Sequence, residues 1–257
     1  MLSNQTINTL RQLRLNGMAD AYSRQLKDAH AAELTFDDRL GLLVDHEWTL
    51  RQNRQLSRLL QAAHLRVQAA PEEIDYQVPR GLDRSLIQQL LTGQWLTERH
   101  NLLISGPTGA GKTFLASALA TGACRLGFKV QYHRLSRLLH QMMMAKGDGS
   151  YGRVSKALAK IDLLILDDWG LANLSAPEAR ELLDILDDRV RQHSTCVVSQ
   201  IPVELWYEQF SDSTLADAVL DRLVHDAYKI QLKGESMRKL LSGVKNAPEG
   251  DKTVATN

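Results

Sequence analysis

Apolar positions follow two different periods along the chain. In the first 75 residues, apolar side chains such as Ile7, Leu10, Met18 and Tyr22 recur at roughly helical spacing. Further along, short continuous apolar runs alternate with helical patterns, which is typical of buried strands joined by helices. The pattern therefore predicts an all-helical N-terminal region followed by an α/β domain.

The N-terminal region is predicted to hold two short helices and one long helix. We place the break between the short helices at Gly17, and Thr35 with Asp38 forms a capping-box pattern that opens the long helix. Pro71 is predicted to end this helix and to start a linker that runs to Gly81. The predicted domains are residues 1–75, residues 76–245 and a polar, disordered tail at 246–257.

Five runs of the second domain are predicted as strands. A helix at Arg84–Leu91, which Asp83 can cap, precedes the first run, and helical patterns separate the others. This alternation is typical of an α/β fold. The predicted strands lie at residues 102–104, 129–132, 163–166, 194–200 and 228–232.

Composition sets limits on the class of protein. Of the 257 residues, 44% are hydrophobic and 24% are charged, as in an ordinary soluble globular protein. The formal net charge is +1, so any basic surface must be local. Cys124 and Cys196 have no metal-ligand spacing, no apolar run could span a membrane, and the N-terminus lacks a signal peptide's apolar core. We therefore expect a cytoplasmic protein without membrane association.

The segment between the first predicted strand and the next helix fits the P-loop pattern G-x-x-x-x-G-K-[ST]. Glycines let backbone N–H groups point at phosphate oxygens. Lys112 would reach the β- and γ-phosphates, and the Thr113 hydroxyl would ligate Mg²⁺. A chance glycine-rich turn would not explain the strand and helix on its two sides. The predicted nucleotide-binding residues are Gly106, Pro107, Thr108, Gly109, Ala110, Gly111, Lys112 and Thr113.

Two acidic residues follow the strand run at 163–166. Because ligands bind beyond the carboxyl ends of the strands in open α/β sheets, Asp167 is predicted to hold Mg²⁺, directly or through water. Asp168 is predicted to orient or deprotonate the attacking water. The alternative is a simple turn at the strand end, which the P-loop earlier in the chain disfavours.

Two further positions are candidates for contacts with the γ-phosphate. Gln200, or Ser199 beside it, ends a buried strand and could hydrogen-bond near the γ-phosphate and the attacking water. Arg222 could stabilise charge on the transferred phosphoryl group of a neighbouring subunit. Alternatively, Arg222 pairs with Asp221 or Asp226.

Basic residues cluster in two places. Arg51, Arg54 and Arg58 share one face of the predicted long helix, in a stretch without acidic residues. This stripe suits a DNA phosphate backbone, but a protein partner or a solvated helix face would show the same pattern. A predicted glycine-containing loop and the basic helix that it feeds could also approach DNA, although an ordinary exposed connection is the alternative. The basic residues of this second cluster are Lys146, Arg153 and Lys156.

Taken together, these motifs resemble the IstB family of insertion-sequence transposition helper ATPases, which are AAA+ proteins related to the DnaC and DnaI helicase loaders. The resemblance covers residues 1–245, and the motifs after the P-loop are its most specific part. Those motifs, together with one N-terminal segment, are Leu13–Ala19, Asp167–Gly170, Ser199–Pro202, Asp221–Leu223 and Gly234–Arg238.

The resemblance implies an AAA+ P-loop fold. Such a fold has a parallel five-stranded sheet flanked by helices, with the P-loop strand central, after a small helical domain. It also implies Mg²⁺ and ATP as cofactors, ATP-dependent homo-oligomerisation, duplex DNA bound with little sequence preference, and a partner transposase.

The resemblance assigns roles to individual residues as well. Lys112 and Thr113 match Walker A, Asp167 and Asp168 match Walker B, Gln200 matches sensor 1, Arg222 matches the arginine finger, and Arg238 matches the nucleotide-binding sensor 2. The second Walker B acid is usually Glu in AAA+ proteins but Asp in this family, and slow ATP hydrolysis is expected with it.

A second hypothesis is a replicative helicase loader. Its N-terminal domain would bind a helicase, and any DNA that it bound would be single-stranded. The preference for duplex over single-stranded DNA across a salt series separates the two hypotheses. A small-molecule P-loop kinase is disfavoured, because the chain offers a helical N-terminal module in place of a lid and an acceptor pocket.

Overall fold

The computed structural model describes residues 2–234 and Met237. Its contacts divide the chain into two compact units, residues 1–62 and residues 63–257. The predicted disordered tail and Arg238 lie outside the described residues. No helix in the described part of the chain is long and apolar enough to cross a membrane.

The first unit is helical, as predicted. It comprises α1 (Leu2–Gln12), α2 (Asn16–Gln25), a 3₁₀ turn (His30–Glu33) and most of the long helix α3 (Phe36–Ala63). The side chain of Thr35 and that of Asp38 form the predicted cap at the start of α3, with the Thr35 hydroxyl 2.6 Å from the Asp38 carboxylate.

The predicted break at Gly17 is wrong, because residues 13–15 interrupt the helices and Gly17 lies inside α2. Gly17 is needed there for close packing. Its N–H donates to the Glu47 carboxylate at 2.7 Å, and an added Cβ would lie 2.8 Å from the Glu47 Cα. The glycine therefore marks where α2 approaches α3.

The predicted end of α3 at Pro71 is also wrong. The helix ends at Ala63, and Pro71 instead opens a 3₁₀ turn, Pro71–Glu73. Residues 71–81 do not form a free linker, because Ile74 and Arg80 are buried within the second unit. The segment before the sheet is thus a packed part of the α/β unit.

The second unit contains a five-stranded parallel sheet, and all five predicted strands are present. Their order in the sheet is β2-β3-β4-β1-β5, so β1 is an interior strand but β4, not β1, takes the middle position. The strands are β1 (Asn101–Ser105), β2 (Val130–Arg134), β3 (Leu163–Trp169), β4 (Ser194–Ser199) and β5 (Ala227–Gln231).

Helices flank the sheet and connect its strands. The Asp83 carboxylate caps α4 as predicted, accepting from the Ser85 N–H at 2.8 Å. The helices are α4 (Arg84–Leu91), α5 (Gln94–Thr97), α6 (Lys112–Arg125), α7 (Leu135–Asp148), α8 (Tyr151–Leu158), α9 (Ala176–Asp187) and α10 (Ser213–Val224), and a 3₁₀ turn spans Val203–Gln209.

The predicted glycine loop before the second basic cluster is shorter than expected. Helix α7 continues through Gly147 to Asp148, so only Gly149 and Ser150 separate it from α8. The connection between α7 and α8 is therefore a tight turn, and both helices pack on the core.

The core lies around β3 and β4. The four apolar residues 163–166 of β3 are fully buried, as expected for a strand covered on both faces. Beyond them, Trp169 packs against Trp206, with ring centroids 4.8 Å apart. This packing fixes the carboxyl end of β3, where the two predicted acidic residues stand.

Candidate nucleotide-binding site

The P-loop connects β1 to α6 in the predicted strand–loop–helix order. Gly106, Gly109 and Gly111 all have positive φ angles, 144°, 84° and 92°. Residues with a Cβ rarely adopt these conformations, so the glycines allow the loop to curl ahead of the α6 N-terminus. Unpaired N–H groups and the dipole of that N-terminus favour anions.

The Lys112 side chain folds back over the P-loop. Its Nζ donates to the carbonyl oxygens of Gly106 and Pro107, at 2.7 and 2.8 Å. Burial lowers the pKa of Lys112, while the nearby carboxylates of Asp167 and Asp168 oppose that shift. The ammonium is therefore held at the loop and close to the acidic residues.

Asp167 joins the two predicted motifs. Its Oδ2 accepts hydrogen bonds from the Thr113 hydroxyl at 2.9 Å and from the Tyr132 hydroxyl at 2.6 Å. Its Oδ1 accepts from the Asp168 N–H at 2.7 Å. The predicted magnesium ligands, Thr113 and Asp167, are thus in direct contact.

The donor set fits Mg²⁺, which usually takes one or two protein carboxylates, a hydroxyl and phosphate oxygens. No group of three or more His, Cys, Asp or Glu residues that could hold a metal occurs in the described part of the chain.

Asp168 lies between two arginines. Its Oδ2 is 3.3 Å from the Arg134 Nε and 3.6 Å from an Arg66 terminal nitrogen, and its φ of 63° is unusual for a residue with a side chain. The bulge between Leu166 and Trp169 turns the strand at this point. A tight local conformation thus places the second acid beside the first.

Gln200 rather than Ser199 lines the cavity. The Gln200 Oε1 accepts from the Thr108 hydroxyl at 2.7 Å, which brings it onto the P-loop. The buried Ser199 hydroxyl donates to the Ile201 carbonyl at 2.9 Å and does not line the cavity. The structure therefore favours Gln200 for the predicted contact near the γ-phosphate.

These residues surround one cavity of about 610 Å³, a volume typical of sites for small ligands. Lys112, Thr113, Asp167, Asp168 and Gln200, all predicted, contribute to its wall. The segment before the sheet supplies further lining residues that the sequence did not indicate, namely Arg66, Val67, Glu73, Asp75 and Arg80.

Arg80 is the most deeply buried of these unpredicted residues. Its guanidinium donates to the Asp75 carbonyl at 2.9 Å and lies 3.5 Å from the Ala110 carbonyl. Its Nε has no hydrogen-bond partner among the described residues, and burial lowers its pKa. Because it belongs to no motif, only its three-dimensional position relates it to the P-loop.

Arg222 lies outside this cavity. Its Nε contacts the Asp187 carboxylate and a terminal nitrogen donates to the Ala218 carbonyl at 2.7 Å. The alternative interpretation, a pairing of Arg222 with Asp221 or Asp226, is therefore wrong, because the partner is Asp187. The side chain remains 29% exposed on the surface of α10.

The sensor 2 candidate, Arg238, falls outside the described residues. The neighbouring Met237 is described, and its N–H donates to the Gly109 carbonyl at 2.9 Å. This hydrogen bond places Met237 next to the P-loop.

The predicted DNA-binding residues differ in their surroundings. Arg51 is ion-paired to Glu47 at 2.6 Å, and the Lys146 ammonium contacts the buried Glu181 carboxylate. All six basic residues are exposed, and the other four are Arg54 and Arg58 on α3, and Arg153 and Lys156 on α8.

Comparison with known proteins gives consistent matches. The model of the family described as "IstB-like ATP binding protein" matches residues 8–243. A Sinorhizobium fredii protein named "Putative insertion sequence ATP-binding protein y4pL" is 45% identical, over 93% of this chain and 98% of that protein. The IS1162 putative ATP-binding protein of Pseudomonas fluorescens is 47% identical, over 79% of this chain and 88% of that protein.

Solved structures share the fold at low identity. The match to a DnaI structure covers 68% of this chain and 93% of the DnaI chain, with a TM-score of 0.56 and 18% identity. The DnaC helicase loader gives the same TM-score and identity, covering 68% of this chain and 99% of its own. AMPPCP-bound DnaA from Aquifex aeolicus covers 72% of this chain and 59% of its own, with a TM-score of 0.56 and 17% identity. At these identities, the similarity supports the AAA+ P-loop architecture alone.

Proposed function

The chain belongs to the family of IstB-like ATP binding proteins, and on that premise we propose that it is an ATP-dependent transposition helper. In this proposal it binds and slowly hydrolyses ATP, assembles into a homo-oligomer on duplex DNA, and recruits or stimulates a partner transposase. Its relatives named as insertion sequence ATP-binding proteins support the biological setting.

One observation carries the proposed ATPase activity. The hydroxyl after the P-loop lysine, Thr113 Oγ1, is 2.9 Å from the carboxylate of Asp167, although the two residues belong to different elements and motifs. A bound Mg²⁺ would supply positive charge that neutralises the charge developing on the phosphates. Thr113 and Asp167 are the residues that would hold it.

The chain's own groups supply the remaining functions. The P-loop amides and Lys112 bind the phosphates, and Asp168 orients or deprotonates the attacking water. Gln200, which accepts a hydrogen bond from Thr108 of the P-loop, would hydrogen-bond to that water or to the γ-phosphate. The shorter Asp in place of Glu at position 168 agrees with slow hydrolysis.

The arginine finger requires a second copy of the chain. Arg222 is outside the cavity of its own chain, yet partly exposed, which supports a role at a neighbour's nucleotide. ATP then promotes assembly because it binds the assembled state more tightly than the free subunit. An arginine supplied in this way accelerates hydrolysis by about 10³ to 10⁵.

Three variants test the ATPase part. Lys112→Ala should lose ATP binding and ATP-dependent assembly on duplex DNA. Arg222→Ala should retain ATP binding but lose the hydrolysis that DNA and oligomerisation stimulate. Because Arg222→Ala also breaks the ion pair with Asp187, Asp187→Ala is the matched control, and it should keep more of the stimulated turnover. Unchanged stimulated turnover in Arg222→Ala would reject the finger assignment.

DNA binding is proposed for the exposed basic residues of α3 and α8. The triple variant Arg51→Ala, Arg54→Ala, Arg58→Ala should weaken duplex binding and flatten the dependence of log K on log salt by about 0.9 for each phosphate that the variant no longer neutralises. Because Arg51 also pairs with Glu47, the double variant at Arg54 and Arg58 separates DNA contact from loss of that pair. An unaltered salt slope would assign this face to a protein partner.

The same titrations test the helicase-loader alternative. A transposition helper should prefer duplex DNA at every salt concentration, whereas a loader should prefer single strands.

We also place the protein in the cytoplasm, a proposal supported by Cys124 and Cys196, which are both buried free thiols.

A further inference from the structure

A cation from outside the known motifs reaches the acidic residues of the site. An Arg66 terminal nitrogen lies 3.6 Å from the Asp168 Oδ2 and 4.0 Å from the Asp167 Oδ2. Interaction with Tyr132, the residue that donates to Asp167, raises the pKa of Arg66. Arg66 lines the cavity, and 38% of its side chain is exposed. It is therefore an accessible positive charge in the wall of the nucleotide site.

Arg66 is only loosely held by the carboxylates. At 3.6 and 4.0 Å these contacts are ion pairs rather than good hydrogen bonds. A guanidinium has five N–H donors, and the described residues leave several of them unused. Phosphate oxygens are its preferred partners, because two parallel N–H donors match their geometry.

Asp168 does not depend on Arg66 alone. Arg134, at the end of β2, places its Nε 3.3 Å from the same Asp168 oxygen. If Arg66 turned toward a phosphate, Asp168 would still have a neighbouring cation. If Arg66 exchanged its carboxylate partner for a phosphate oxygen, Asp168 would therefore keep the charge of Arg134 beside it.

Arg66 follows the end of the long helix α3 closely in the chain. Only His64 and Leu65 separate it from Ala63, the last residue of α3, and His64 has a positive φ of 50°. A turn at the end of the long helix thus directs Arg66 into the cavity. Val67, the next residue, lines the same cavity.

We propose that Arg66 binds the terminal phosphate of ATP in its own subunit, and that this contact makes the site prefer ATP over ADP. The proposal rests on the ATP-binding function proposed above. Besides Lys112, Arg66 would be a second cation that contacts the γ-phosphate. It belongs to the segment that follows α3. The ATP-bound and ADP-bound forms would differ first in that segment.

Equilibrium binding tests the proposal without relying on turnover. Fluorescent methylanthraniloyl derivatives of AMPPNP and ADP, with Mg²⁺, are titrated into the wild type, Arg66→Ala and Arg66→Lys. Loss of a charge-assisted contact should weaken AMPPNP binding of Arg66→Ala by about 10- to 100-fold and leave ADP binding within about twofold. Arg66→Lys keeps the charge without the planar fork, so its AMPPNP affinity should lie between that of the wild type and that of Arg66→Ala.

Arg180→Ala is the matched control, because Arg180 is an exposed arginine on α9 that does not line the cavity. It should bind both nucleotides like the wild type. Circular dichroism of each variant checks folding, and Arg66→Lys provides a conservative variant if Arg66→Ala is unstable.

The outcomes are distinguishable. An AMPPNP-to-ADP affinity ratio that stays at the wild-type value in both Arg66 variants overturns the proposal. Faster hydrolysis with that unchanged ratio also overturns it and makes Arg66 an inhibitory partner of Asp168. Failure of the wild type to bind either nucleotide, or equal binding by Lys112→Ala, would instead refute the proposed function itself.

Discussion

The first residue of the P-loop offers a sharp test of the local geometry. Gly106 has a φ of 144°, and a Cβ added to it would lie 2.5 Å from the Leu232 carbonyl oxygen and 3.0 Å from the Leu232 Cβ. The obstacle is backbone, which a change of rotamer cannot relieve. Gly106→Ala should therefore destabilise the α/β unit and displace the start of the P-loop.

The size of the effect follows from two contributions. A residue with a Cβ held in a glycine-only region of φ/ψ costs about 1–3 kcal/mol. Overpacking that forces the backbone to shift costs about another 1–3 kcal/mol. The expected loss is therefore about 2–6 kcal/mol in the free energy of unfolding, a large part of a typical domain's stability.

Urea unfolding measures this loss. Trp169 and Trp206 are fully buried beside the sheet, so tryptophan fluorescence reports largely on the α/β unit. Gly147→Ala is the matched control, because Gly147 is an exposed residue of α7 with nothing within 4 Å of an added Cβ. That control should gain about 0.5–1 kcal/mol from better helix propensity.

Nucleotide binding gives a second readout for the same pair of variants. Gly106→Ala should also bind ATP more weakly, whereas Gly147→Ala should bind it normally. Equal unfolding midpoints for the two alanine variants would contradict the close contact between Gly106 and the Leu232 backbone.

Three further predictions concern buried polar groups. Arg189→Met removes donors from three carbonyl oxygens and one hydroxyl in the core, so we expect a loss of about 3–6 kcal/mol in urea unfolding. Lys146→Met leaves the buried Glu181 carboxylate unpaired and should destabilise the fold by about 3–5 kcal/mol, whereas Arg153→Ala, on the surface of α8, should change stability by less than about 0.5 kcal/mol. Burial raises the pKa of Cys124 from 9.0 to about 11, so unfolded chains ionise first and stability should fall as pH rises from 9 to 11. Cys124→Ala should flatten that slope by about 1.4 kcal/mol per pH unit at most, and identical slopes would contradict the assignment.

Much of the site was predictable because its motifs are continuous in sequence. Strand, glycine loop and helix are adjacent, so local spacing identifies Gly106–Thr113 and indicates which groups face phosphate. The acid pair was predictable for the same reason, because it directly follows a four-residue apolar run. The local rules failed where packing decided the outcome. Gly17 looks like a helix break, but it is the point where α2 approaches Glu47.

The choice between Ser199 and Gln200 also needed the structure. Both residues are polar and both end a strand run, so the sequence treats them alike. In the fold, the Ser199 side chain is buried and bonds to Ile201, while Gln200, just beyond the strand, reaches Thr108 of the P-loop. The direction of one side chain at the end of β4 decided which residue lines the cavity.

The nucleotide-binding loop, the acid pair and the alternation of strands and helices could be predicted from the sequence, because their chemistry depends on residues that are neighbours in the chain. Only the tertiary structure showed that Arg66, Arg80 and Arg134 converge on that loop and on those acids. The physical reason is that such contacts depend on strand order and on the path of the segment before the sheet. β2 delivers Arg134 to Asp168 because it pairs with β3, and no local spacing encodes that pairing.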